Sequence, residues 1–114
     1  MNNLEHLEKG TAHIIVEIIE YALDAIVSKT IVKKTTGDIT ATSVATGEEM
    51  SELESPFDTY VQIIDGIAKI RVNDNIVILR KGEGMIIPAH SRQSFQADEQ
   101  FKMLTTVIKS GYED

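Results

Sequence analysis

The chain contains no cysteine. That excludes a disulfide framework, a thiolate zinc site and a cysteine nucleophile. It also lacks tryptophan, and aromatic residues make up only 5% of the sequence. A core must therefore come from aliphatic side chains, and the many Ile and Val residues favour strands over helices. Long hydrophobic runs are missing too. The longest, residues 76–79, has four members, against the roughly 20 needed to span a bilayer as a helix. Basic residues are scarce: 11 Lys and Arg against 18 Asp and Glu give a net charge of -7, with a pI near 4.9. Such a surface repels a phosphate backbone, so neither nucleic acid nor membrane is expected as a partner. Residues 1–6 carry no basic segment leading into an apolar run. No signal peptide is expected, and the expected setting is the cytoplasm.

What is present points to strands. With 114 residues, two prolines and seven glycines, the chain reads as a single domain over 1–114, with no linker or repeat. Residues 13–28 are ambiguous. Glu17, Glu20 and Asp24 recur at helical spacing, yet Ile14, Ile15, Val16, Ile18 and Ile19 are β-branched or bulky and suit a strand. From residue 26 the pattern is clearer. Strands are expected over 26–33, 39–46, 59–64, 67–72, 76–79, 85–87, 93–97 and 101–109. Asp65-Gly66 reads as a hairpin turn, because glycine tolerates positive φ. Asn73-Asp74-Asn75 reads as a second turn. The acidic stretch 48–54 reads as a solvated turn. Short strands at this spacing suggest a sandwich or barrel.

One segment has a recognisable spacing. Gly82, five residues, Pro88, then His90 in the turn and Gln93 five residues after the proline resembles the second signature motif of the cupin superfamily. The first motif can be laid on Gly47 and Gly66, which puts its glutamate position on Thr59. Its two histidine positions then fall on Leu53 and Ser55, or on Glu52 and Glu54 if the loop is one residue longer. Residues 26–30, 55–66 and 101–104 also look like a branch of small single-domain cupins. The resemblance implies an all-β fold, a cupin-type antiparallel barrel (double-stranded β-helix or jelly roll), over residues 16–109. Residues 1–15 would form an N-terminal arm or extra strand. It also implies a homodimer in which the apolar segment 14–19 adds as a strand to its neighbour; that lean, not periodicity, favours a strand there.

The chemistry usual in that family is missing. Its metal site uses imidazoles and a carboxylate, whereas Thr59 and Gln93 are neutral oxygen donors. No metal and no other cofactor is expected. Were a metal found, Glu52, Glu54 and His90 would be the residues to examine. His90 itself reads as a turn residue, and His6 and His13 show no partner in the sequence. No nucleophile elbow surrounds Ser55, Ser91 or Ser94, and Gly82-x-Gly84 has no third glycine to cradle a phosphate. No catalytic residue is identified.

Strand alternation places the barrel mouth at Phe57, Thr59, Val61, Met85, Ile87, Gln93 and Phe95. This is an apolar wall with a few neutral hydrogen-bonding groups and suits a small, largely apolar organic molecule. Two alternatives stand beside this reading. One is a metal-dependent oxygenase or isomerase with a non-standard ligand set. The other is a structural or regulatory homodimer whose barrel is only a core.

Overall fold

A computed structural model describes residues 7–112. After a 3-10 turn at Ile15–Glu17 come eight strands: β1 (Ile26–Lys34), β2 (Gly37–Val44), β3 (Glu49–Glu54), β4 (Asp58–Val72), β5 (Asn75–Arg80), β6 (Gly84–Ile87), β7 (Arg92–Gln96) and β8 (Phe101–Ile108). Their hydrogen-bonded order is β1-β2-β8-β4-β7-β3, with β5 and β6 also paired to β4. Every pairing is antiparallel. The all-β fold expected from the sequence is present: an antiparallel sheet curled on itself around one core. No helix among the described residues is long and apolar enough to cross a membrane.

Strand β4 organises the molecule. Its first half pairs with β8 and β6, its second half with β5 and β7. Before Gly66 the odd-numbered residues point inward: Val61 and Ile63 are fully buried while Tyr60 is exposed. After it the even-numbered residues do: Ala68 and Ile70 are fully buried and Arg71 is exposed. A one-residue slip reverses which face of a strand is buried. Here the slip is a bulge, seen as a register shift against β8 between Ile63 and Asp65. Gly66 follows it with φ +77°, a conformation glycine adopts freely.

Three sequence expectations are corrected. Asp65-Gly66 is not a hairpin turn. The chain continues straight through as one 15-residue strand, because both halves find partners in other strands. The hairpin is one turn later, where Val72 pairs with Asn75 across Asn73-Asp74 and Asn73 has φ +54°. The acidic stretch 48–54 is not a turn either. It supplies β3, because Met50 and Leu53 pair with Phe95 and Gln93 of β7, leaving Glu49 on the opposite face.

The segment 14–19 is not a strand. It is a 3-10 turn leading into bends. Backbone bonds within the turn satisfy the carbonyls of Ile14 and Ile15, and side chains from the sheet hold the stretch that follows. Lys102 Nζ donates to Val16 O at 2.6 Å, and Ser43 Oγ donates to Glu20 O at 2.8 Å. Tyr21 OH donates to Asp65 Oδ2 at 2.6 Å. Ile19 is buried, while Ile14 and Ile15 stay exposed. The segment thus covers the outer face of β2, β8 and β4. This explains why Ala41 and Ser43 are buried although they lie on the side of β2 away from the core.

Candidate functional site

The two curled halves of the sheet leave a cavity of about 300 Å³ at one end. Its first wall comes from Ser28 on β1, Asp38, Thr40 and Thr42 on β2, and Met103, Thr105 and Val107 on β8, with Thr59 at the start of β4. The facing wall holds Met50, Leu53 and Glu54 on β3 and Gln93 and Phe95 on β7, with Ser55 just beyond β3. The first wall arises from alternation. Residues 38, 40 and 42 share one face of β2, and 103, 105 and 107 share one face of β8.

The cavity is apolar in its bulk and hydroxyl-rich in its detail. Met50, Leu53, Phe95, Met103 and Val107 supply hydrocarbon and sulfur. Four threonines supply methyl groups together with hydroxyls. Ser28 Oγ and Thr42 Oγ1 lie 3.1 Å apart, and Ser55 Oγ accepts from Phe57 N at 3.1 Å. No Lys, Arg or His lines the space. Of its two acids, Asp38 is paired with Lys109 at 3.1 Å, and Glu54 is exposed.

No protein-family model matches the chain, and no curated protein matches it. Solved structures do match. A cupin 2 conserved barrel domain protein from Leptotrichia buccalis is 35% identical, with a TM-score of 0.80 over 82% of this chain and 46% of that one. The chain therefore spans about half the length of that protein. A cupin superfamily protein from Desulfitobacterium hafniense is 26% identical, with a TM-score of 0.86 over 96% of this chain and all of that one. A conserved protein of unknown function from Streptococcus pyogenes is 26% identical, with a TM-score of 0.87 over 97% of both chains. The chain belongs to the cupin superfamily.

In this cupin, all four positions that the resemblance assigns to metal ligands face the cavity: Leu53, Ser55, Thr59 and Gln93. The frame matches the family, and the donors do not. An alkyl group, two hydroxyls and a carboxamide offer neither imidazole nor anionic charge, so they do not fit a divalent transition metal. Among the described residues, no three of His, Asp and Glu come together in a way that could hold a metal ion. Of the three alternative ligand residues, Glu54 lines the cavity. The side chain of Glu52 lies outside the described set, as does His6. His90 is an exposed turn residue with φ +68°; its backbone N–H donates to Ser55 O at 2.7 Å and its ring is not part of the wall.

Of the mouth residues expected from alternation, Thr59, Gln93 and Phe95 line the cavity. Val61 and Ile87 are fully buried in the packed core, and Met85 packs against that core. Phe57 lies half-buried with its ring centroid 6.0 Å from that of Tyr112. Alternation identifies the inward face but does not separate a cavity wall from a packed floor. The hydroxyl row Thr40, Thr42 and Thr105 was not anticipated. Both faces of β2 carry small residues, so its sequence does not say which face turns inward.

Proposed function

We propose that this cupin binds a small, uncharged, largely apolar organic molecule in its cavity, held by packing and neutral hydrogen bonds and not by a metal. The observation that carries the reading is the composition of the wall at the family's ligand positions. Leu53, Ser55, Thr59 and Gln93 stand there, backed by Met50, Phe95 and Met103, with no cation in the lining. A volume of about 300 Å³ is at the lower end of the range for ligand pockets, so a compact molecule is implied. A carboxylate or phosphate ligand would find no Lys, Arg or His in the lining and would face Glu54, while Asp38 is already paired with Lys109. The proposal extends to a cytoplasmic homodimer, which light scattering and cell fractionation check.

The test has two parts. Metal content is measured on protein purified without a tag or chelator, and less than about a tenth of an equivalent is expected. A library of small neutral aromatic and aliphatic compounds is then screened by protein-observed NMR. Shifts confined to Thr59, Gln93, Phe95 and Met103 support the reading. A stoichiometric transition metal, or no response to any neutral compound, sinks it.

A further inference from the structure

Two side chains in the cavity wall are nearly sealed from solvent yet have no hydrogen-bond partner among the described residues. They are Gln93, 8% exposed, and Thr59, 7% exposed. Their neighbours differ in this respect. Ser28 and Thr42 engage each other, Ser55 caps Phe57 N, and Thr105 reaches the Thr40 carbonyl at 3.5 Å. Buried polar groups are nearly always paired, so a bare carboxamide facing a cavity needs an explanation.

Both groups are firmly placed. Gln93 is held in the middle of a sheet, its backbone opposite Leu53 on one side and Val72 on the other. Thr59 is likewise flanked by Ile87 and Val107. They come from facing walls. A ligand filling the cavity takes solvent away from both, and unless it supplies matching groups it leaves them uncompensated.

We propose, on the basis of the binding reading above, that Gln93 and Thr59 select a ligand bearing an uncharged amide edge, as in a primary amide, lactam or imide. The chemistry is complementary. A carboxamide presents one acceptor and a two-hydrogen donor side by side. Another amide edge returns both bonds in the same plane, and the Thr59 hydroxyl can donate to or accept from the remainder. A carboxylate has no donor for the Gln93 oxygen and is repelled by Glu54. An ammonium has no acceptor for the Gln93 nitrogen. A pure hydrocarbon leaves both groups bare.

The experiment titrates the full-length isotope-labelled chain with benzamide, toluene, benzoate and benzylamine, four probes of nearly equal size, followed by NMR. Benzamide is expected to bind at least about tenfold more tightly than the other three, as two net hydrogen bonds imply. Gln93→Leu should bring benzamide and toluene level, and Thr59→Val should narrow the gap several-fold. Gln93→Glu keeps the shape while replacing the amide donor. Its carboxylate only accepts hydrogen bonds and attracts a cation, so it should shift the preference from benzamide to benzylamine, and it carries the test if the leucine variant does not fold. Equal binding of benzamide and toluene by the wild type overturns the amide proposal and leaves the binding reading intact. So does a benzamide preference that survives both Gln93 variants, whereas tightest binding of a charged probe overturns both readings. Failure of all four probes to bind overturns the amide proposal, and joined with no response from the wider neutral library it overturns both.

Discussion

Lys102 on β8 reaches the main-chain carbonyl of Val16, 86 residues earlier in the chain, at 2.6 Å. Its ammonium also lies 4.9 Å from the centroid of the Tyr21 ring. One buried cation thus fastens the N-terminal segment to the outer face of the sheet at two points. Lys102→Met keeps the aliphatic stem but removes both contacts and leaves the carbonyl without its donor. A loss of about 1–3 kcal/mol is expected in urea unfolding. Amide exchange over residues 16–21 should quicken selectively. Unchanged exchange there would show that packing of Ile19 alone holds the segment.

The bulge in β4 makes a sharper prediction. A Cβ added at Gly66 would run into the carbonyl oxygen of Gln100 and come within 2.8 Å of Phe101 Cα, at a φ of +77°. Gly66→Ala therefore combines backbone strain with a clash against backbone atoms, which cannot swing aside. Its expected cost is about 3 kcal/mol or more. Gly47 and Gly82 share a positive φ, but an added Cβ would meet nothing within 4 Å. Alanine at either should cost only about 1–2 kcal/mol. Equal losses at all three positions, measured by urea unfolding, would rule out the clash.

Alkaline pH should loosen the same N-terminal segment. Burial, and then the hydrogen bond and charge of Asp65, push the Tyr21 phenol well above the ordinary tyrosine value of 10.0. The folded chain therefore keeps this proton where the unfolded chain, at about 10, releases it. The stabilisation is complete below pH of about 10 and is lost as pH rises beyond it. Unfolding free energies of the wild type and Tyr21→Phe, compared from pH 8 to 11, should converge at the alkaline end. Parallel curves would mean that Tyr21 titrates alike in both states.

The ligand positions can be tested by restoring the missing chemistry. L53H, S55H, T59E and Q93H together place three imidazoles and a carboxylate on side chains that already face one cavity. The combined variant should bind about one equivalent of a divalent transition metal, read by elemental analysis after dialysis. Q93H alone should bind none, since one imidazole is too few ligands. A folded combined variant that takes up no metal would show that these side chains do not converge.

Much of the fold was legible in the sequence. The β-branched runs, the Asn73-Asp74 turn and the Gly82 to Pro88 spacing each lead to the strand or turn observed. Three stretches misled, for distinct physical reasons. Asp65-Gly66 has the chemistry of a hairpin, and local chemistry does not reveal that strands remote in sequence will pair with both flanks. Residues 49–54 look like a solvated turn because their acids outnumber the two inward residues, Met50 and Leu53. Residues 14–19 are apolar enough for a strand, but Lys102, Ser43 and Asp65, all distant in sequence, hold the segment in another shape. The cavity wall was legible at Thr59 and Gln93, where motif spacing and alternation agree, and at Phe95 from alternation alone. The threonine row of β2 and β8 was hidden because threonine suits either face of a sheet.

The 15-residue strand β4 belongs to both halves of the curled sheet. The two halves are therefore tied together through one continuous strand: parting them would require breaking the hydrogen bonds that pair it on each side. The barrel has a fixed spine, and any breathing of the cavity must come from its lips. Among the described strands, β3 pairs only with β7, and it carries Met50, Leu53 and Glu54 of the cavity wall. This edge strand is therefore the part of the wall with the fewest backbone partners to hold it.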